Sequence, residues 1–304
     1  RCSRGENADL FSLILGGYGL FGIVYSVSLR LVRRRKMQRI VEISTIDDAI
    51  DKFHARIRDG FDYGDFQYMT DAQSPGFLHK GVMACYREVS PSTPVPNDQH
   101  ELSPAQWRDL IHLAHVDKAK AYEAYAGHYR ATSGQIYWSD TMQMSTYLDD
   151  YHEWLDEKTG AHVRGTEMIT EAYIPRASLA AFMRTCARDF RKHGVNVIYG
   201  TVRLIERDSE SFLAWAREPW ACVIFNLHVD HTPAGLMGAA DSFRRLIDRS
   251  IEYRGSYYLT YHIFATQEQV RAAHPRFSKF LEHKRASDPA NIFTSDWYTH
   301  YAQQ

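Results

Sequence analysis

The order of strand-like and helix-like segments after Thr166 constrains this chain more than any other feature. "TEMITEAYIP" alternates as a strand, and "RASLAAFMRTCARDFRKHG" has the apolar period of a helix closed by Gly194. "NVIYGTVRLIER" and "WACVIFNLHVDH" are strands again, with a short helical piece expected at Glu210–Arg217 between them. "GAADSFRRLIDRSIEYRG" is a second helix and "SYYLTYHIFA" a last strand. The pattern β-α-β-β-α-β lays an antiparallel sheet against two helices, the ferredoxin-like split unit. A partial copy precedes it. "RIVEIS" reads as a strand, "TIDDAIDKFHARIRDG" as an amphipathic helix, and "DYGDFQYMTD" and "GVMACYREV" as a strand pair. The expectation is an α+β fold with one broad antiparallel sheet, helices on one face, and the other face left to cover something.

Between the copies lies a Pro/Ser-rich loop, "SPSTPVPNDQHELSPAQW", in which Ser103-Pro104 has the form of an N-cap followed by proline at the first helical position. From about 103 to 160 the pattern is largely helical, and the acids and aromatics of "WSDTMQMSTYLDDYHEWLDE" fit a helix packed on the sheet. Near the end, "HPRFSKFLEHKRASDPANIFTSDWYTHY" reads as a helix stopped before Asp288-Pro289 and then an irregular aromatic segment.

Charge narrows the function classes. Lys and Arg total 36 against 37 for Asp and Glu, so no global field recruits nucleic acid, and Arg33–Lys36 is an isolated basic strand exit. No apolar run is long enough to span a bilayer. The four scattered cysteines contain no C-x-x-C pair, which points to reduced, mostly buried thiols in a cytoplasmic protein rather than a zinc or disulfide framework. Aromatic residues at 13% fit either a densely packed core or a pocket for a flat or apolar ligand.

Gly17, Gly19 and Gly22 spell G-x-G-x-x-G, the dinucleotide-binding pattern. The local order argues against a Rossmann turn, because that turn needs a strand before it and a helix after it to bind the pyrophosphate. Here "ENADLFSLIL" reads as helical, and Ile23–Leu31 alternates as a half-buried strand. What remains is a turn that is either purely structural or lets backbone approach a flat or charged group.

The run "LFSLILGGYGLFGIVYSVSLRLV" resembles the helix, glycine-rich turn and strand that close the flavin-binding domain of the vanillyl-alcohol oxidase/p-cresol methylhydroxylase superfamily. The tail "KFLEHKRASDPANIFTSDWYTHY" resembles that family's closing helix and D-P-x-x-x-F segment. Together the motifs place the chain nearest the alditol oxidases, decaprenylphosphoryl-ribose oxidases and sterol side-chain reductases. The resemblance implies that residues 1–36 and 275–304 are a remnant of the FAD-binding domain and that 37–274 form the cap over the flavin ring. It implies FAD as cofactor, with Gly17, Tyr18, Gly19, Gly22, Ile23 and Asp296 lying along it. The N-terminal flavin half of such enzymes is absent here, so the chain is expected to be a fragment or to pair with another chain, and to be inactive alone.

The resemblance also points to cap-sheet positions for the chemistry: Arg203 with Thr201, Asn226 with His228, and Tyr261 with His262. Strand alternation independently puts Thr201 and Arg203 on one face, and likewise Asn226 and His228. His228 or the Tyr261 hydroxyl would accept a proton while Arg203 orients an oxygen. The family often carries Lys where Tyr261 stands, which leaves the base open. His228 also reads as a hydrogen-bonded core histidine, and Arg203 as the partner of Glu206 in an ion pair. A metal set at His228, Asp230 and His231 lacks a completing Glu or Cys nearby in sequence and is not expected. Three functional readings follow: an FAD-linked oxidation of an alcohol, polyol, sugar-like or isoprenoid substrate, with membrane-associated lipids left open; a non-catalytic ferredoxin-like ligand-binding module; and a metal-dependent hydrolase.

Overall fold

The computed structural model describes residues 1–141, 148 and 150–302. Part of the acid- and aromatic-rich segment expected to be helical, 142–147 and 149, therefore lies outside the described residues. The chain runs through α1 (Ala8–Ile14), β1 (Lys36–Thr45), α2 (Ile46–Arg58), β2 (Phe61–Tyr68) and β3 (Lys80–Glu88). It continues with α3 (Pro104–Val116), α4 (Lys118–Ala131), β4 (Ile136–Trp138), α5 (Tyr151–Thr159), β5 (Gly165–Pro175), α6 (Leu179–His193), β6 (Val197–Ile205) and β7 (Trp220–Asp230). The last elements are α7 (Pro233–Glu252), β8 (Ser256–Tyr257), α8 (Gln267–Ala273), α9 (Phe277–Ser287) and α10 (Asp296–Ala302).

All eight strands form one antiparallel sheet in the order β4-β1-β3-β2-β6-β7-β5-β8. Each half has the same internal order: fourth, first, third, second. The halves meet through their second strands, where Phe66 faces Val202 and Gln67 faces Thr201. Alternation along the strands sends one set of side chains toward α2, α6 and α7. Phe66, Met83, Cys85, Ala172, Val202, Val223, Phe225 and Leu227 pack there against Phe53, Phe182, Phe190 and Phe243 in one apolar cluster. On α6 the buried residues Leu179, Phe182, Met183, Cys186, Ala187 and Phe190 recur every three or four positions, which lays a single stripe on the sheet. Burying each of these aromatic side chains contributes about 1.5–3 kcal/mol.

The opposite face is divided. Its β1–β3 half is covered by the insertion: Tyr129 and Ala126 of α4 pack on Met37, Val82, Ala84 and Tyr86. Helices therefore lie on both faces of this half, not on one as the sequence suggested. The helix α3 starts as expected: the Ser103 hydroxyl accepts from Gln106 N, and the Gln106 side chain returns to Ser103 N.

A second apolar cluster joins the two ends of the chain. Leu13 and Leu20 pack with Phe277, Phe280, Trp297, Tyr298 and Tyr301, and with Phe212, Tyr257 and Leu259 from the sheet side. The Asp288 carboxylate accepts from Ile292 N at 3.0 Å and Phe293 N at 2.8 Å and pairs with buried Lys284. That gives the D-P-x-x-x-F segment a structural reason. The hydrogen bond from Lys284, together with those two amides, pulls the Asp288 carboxyl down to about 2.

Several expected elements take another form. Ile23–Leu31 is extended but pairs with no described strand, and Tyr25 is 97% and Leu31 84% exposed. Its alternation marks one apolar edge, yet a strand also needs a neighbour to satisfy its amides, and none comes from the described residues. The expected last strand is a ladder over Ser256–Tyr257 only; from Leu259 the chain turns. Glu210–Arg217 is a run of turns and bends around the buried Phe212 and Leu213, not a helix. The tail expected to be irregular contains α10, and the insertion contains β4, a short edge strand paired to β1. The three apolar anchors Trp297, Tyr298 and Tyr301 explain why so aromatic a tail becomes a helix.

Candidate functional site

The β5–β7 half of the second face carries the candidate chemistry, and strand register places its side chains in rows. Tyr173 of β5, Cys222 of β7 and Arg203 of β6 form one row. Glu171, Ile224 and Thr201 form the next, continued by Gln67 of β2. Ile169, Asn226 and Tyr199 follow, and then Glu167 and His228. Adjacent strands lie about 4.8 Å apart, so Glu171 and Arg203 flank an apolar floor of buried Ile224 and Cys222 roughly 10 Å across.

At one side of the floor Glu171 stands between two phenols. Tyr173 donates to its Oε2 at 2.6 Å and Tyr261 to its Oε1 at 3.3 Å. Burial and the Glu171 charge push the Tyr261 hydroxyl up to about 12, which favours its donating form. Glu171 is the better acceptor. It was missed because a Glu in an alternating strand looks like an ordinary solvated residue.

On the other side Arg203 is exposed and faces a buried acid. Asp65 accepts from Gln67 and, at 3.3 Å, from Thr201 Oγ1. Burial pushes the Asp65 carboxyl up to about 6, against the hydrogen bonds from Gln67 and Thr201 and the charge of Arg203. The expected alternative partner of Arg203 is otherwise engaged: Glu206 pairs with Arg176 at 2.7 Å.

His228 belongs to a different group. Its Nδ1 lies 3.2 Å from Glu167 Oε1, and His115 Nε2, from α3, lies 2.9 Å from the same oxygen. The second oxygen, Glu167 Oε2, accepts from the Tyr151 hydroxyl and lies 3.2 Å from His152 Nδ1. The Glu167 hydrogen bond raises the His228 pKa, while burial opposes. The hydrogen bonds to Glu167 keep its carboxyl ionised well below the usual range despite its burial. The close approach depends on Gly165, where an added Cβ would collide with the His228 ring. His228 is thus hydrogen-bonded, as one of its two readings expected, but half-buried at the end of the sheet and not in the core. His115 and Glu167 escaped sequence reasoning because they lie far from His228 in the chain; the one available signal was the glycine opening a strand.

The glycine turn is structural first. Gly17 sits where a Cβ would strike the Leu13 carbonyl oxygen, and Tyr18, Gly19 and Gly22 all have positive φ. Tyr18 projects toward the sheet. Its ring lies 5.1 Å from Trp297 and 6.4 Å from Tyr258, whose ring is 4.6 Å from Tyr261. Trp215 meets both Tyr258 and Tyr173. A continuous aromatic wall therefore runs from the turn to Glu171.

The expected residues separate accordingly. Arg203, Asn226 and Tyr261 share the open face; His228 lies at its end; Tyr18 reaches it through the wall. Gly19 and Ile23 are exposed beside the turn, and Asp296 is exposed at the first residue of α10. His262 points the other way. It is buried between Phe243 and Phe264, with Thr170 Oγ1 3.4 Å from its Nε2, and burial lowers its pKa to about 4. Its expected place beside the substrate is corrected: Tyr261 and His262 lie in a turn and face opposite sides.

Two surface cavities, of about 330 and 400 Å³, lie elsewhere, beside Arg217 and Trp220 and beside Ile43 and Lys80. No helix among the described residues is long and apolar enough to cross a membrane. No protein-family model and no curated protein sequence matches this chain.

Proposed function

We propose that this chain supplies the substrate-facing sheet and the flavin-facing turn of an FAD-dependent oxidoreductase acting on an alcohol carbon of a sugar-, polyol- or isoprenoid-like substrate. One observation carries the reading. The glycine turn and the polar face, far apart in sequence, meet in one wall through Tyr18, Tyr258 and Tyr261, which ends on Glu171. The strand order of each half supports the ferredoxin-like cap reading, and the shared cluster of the two chain ends supports a flavin-domain remnant.

The residues present fit the ring end of FAD. Tyr18 and Gly19 expose backbone in a left-handed turn at the edge of an aromatic wall. No described glycine turn leads from a strand into a helix N-terminus, so the pyrophosphate would be held by a further flavin-binding unit of the same polypeptide or of another chain. Ile23–Val32, extended, apolar on alternate residues and unpaired, suits addition to that unit's sheet. Bound there, FAD would supply the hydride acceptor. Arg203 then orients a substrate oxygen, Asn226 adds a hydrogen bond, and Glu171 takes the hydroxyl proton. Tyr173 and Tyr261 hold that carboxylate, and Ile224 and Cys222 keep water from the floor.

The test is reconstitution of the complete polypeptide with FAD, followed by anaerobic titration with polyols, sugars and isoprenoid glycosides. Retained flavin absorbance that one substrate class bleaches is the expected result, with Arg203→Ala keeping the flavin and losing the bleaching. Failure to retain flavin, or flavin that no alcohol reduces, overturns the reading.

A further inference from the structure

His115, Glu167 and His228 come from three elements, α3, β5 and β7, yet one nitrogen or oxygen of each converges within 4.8 Å of the others. Hydrogen-bond chemistry limits what this cluster can be. His115 Nδ1 lies 2.8 Å from the Ile111 carbonyl oxygen, which can only accept, so Nδ1 carries the proton. A neutral His115 then turns its Nε2 lone pair on Glu167 Oε1. Only a second proton or a metal ion makes that contact attractive. His228 Nδ1 faces the same Glu167 Oε1, and its Nε2 lies 3.5 Å from Asp230 Oδ1. Without a metal, His115 needs a second proton to satisfy its contact, whereas a neutral His228 can donate from Nδ1 to the same oxygen.

We propose that His115 Nε2, Glu167 Oε1 and His228 Nδ1 are a three-ligand site for a divalent transition metal of the zinc class, with water completing the coordination. Two imidazoles and a carboxylate are the donor set such ions prefer, and tetrahedral bonds of about 2 Å separate ligand atoms by roughly 3.3 Å. The observed 2.9 and 3.2 Å from Glu167 Oε1 to the two nitrogens need only a small spreading to reach that geometry. The surroundings have the arrangement that orients metal ligands. The Ile111 carbonyl fixes His115, Asp230 faces the outer nitrogen of His228, and Tyr151 and His152 hold the free oxygen of Glu167. Gly165 leaves the space in which the His228 ring reaches the site. The His115 and Glu167 side chains are 8% exposed and that of His228 22%, so the cluster is shielded but open on one side. The two rings stand nearly perpendicular, at 88°, with centroids 5.3 Å apart. An ion here clamps the helical insertion to the end of the sheet, beside the polar face. The inference stands apart from the flavin reading, because it uses none of the residues assigned to that substrate.

The experiment is to strip the purified protein with chelator, reload it with zinc, dialyse, and measure metal per chain. Cobalt substitution then reports the geometry. One ion per chain, intense tetrahedral cobalt absorption, and a higher melting temperature than the stripped protein are expected. Glu167→Gln keeps the side-chain shape and should weaken retention at least tenfold; His228→Ala should act alike. His231→Ala, an exposed neighbour outside the cluster, should retain the metal and guard against surface binding. Circular dichroism of each variant separates ligand loss from unfolding. No retained ion in the reloaded parent protein, an octahedral cobalt spectrum, or retention unchanged in a folded Glu167→Gln protein overturns the proposal. Loss of metal in His231→Ala alone also overturns it.

Discussion

Phe225 and Asn226 are neighbours in β7 and point to opposite faces of one sheet. Phe225 is sealed between Tyr68 and Phe190 in the main core, whereas Asn226 stands half-buried in a row with Tyr199 and Ile169. The same contrast holds along β5, where Ala172 and Ile174 face the helices and Glu171 and Glu167 face away. A strand of period two can serve stability on one side and chemistry on the other, and each residue's parity decides which. Even the histidines divide this way: His262 lies buried among the phenylalanines of the helix side, and His228 on the other side meets the Glu167 carboxylate.

The largest expected effect tests the core side. Phe225→Ala should cost about 3–5 kcal/mol in chemical denaturation, while Asn226→Ala next to it stays within about 0.5 kcal/mol. Equal losses at both positions would break the comparison. Next comes a pH signature. His262 has a folded pKa of about 4 against 6.5 for the free side chain, so the unfolded chain binds the extra proton between those values. Its contribution is present above pH 6.5 and lost as pH falls through 4. His262→Phe should flatten that acid limb by up to about 3 kcal/mol, read from urea midpoints across the range. An unchanged limb would mean that His262 is not held neutral in the fold.

Gly165→Ala sharpens the comparison at the end of the polar face. The added methyl meets the His228 ring, and overpacking of this kind costs about 1–3 kcal/mol. Nuclear magnetic resonance of the His228 ring should show it displaced; an unmoved ring would contradict the close contact. The smallest stability effect is expected for Leu31→Asp, in a segment exposed among the described residues: less than about 0.5 kcal/mol. Flavin retention by the complete polypeptide should nevertheless fall, and a large stability loss would show that Leu31 is packed.

Much of the frame was legible. The strands β1–β3 and β5–β7 and the helices α2, α6 and α7 follow from alternation, helical period and closing glycines such as Gly194, whose φ is 62°. Parity alone placed Thr201 with Arg203 on one face of β6, and Asn226 with His228 on one face of β7. The misses share a cause: local pattern does not name a partner. Ile23–Leu31 has a strand's alternation and no ladder. "SYYLTYHIFA" has a strand's composition, yet after Tyr257 the chain leaves the sheet edge, which turned His262 into the core. Glu171 was invisible because its meaning comes from Tyr173 and Tyr261, neither of which changes its local pattern.

The sequence by itself determined which residues share a face within each strand, because that depends only on backbone geometry over a few residues. It also determined where helices begin and stop at Ser103-Pro104, Gly194 and Asp288-Pro289, since caps and prolines act locally. Only the tertiary structure decided which rows adjoin, because register across β5, β6 and β7 is set by the packing of whole elements. That step brought Glu171 opposite Arg203 and carried His115, from a separate helical insertion, onto Glu167 and His228. Contacts between groups far apart in the chain leave no local trace, and in this chain they make both candidate sites.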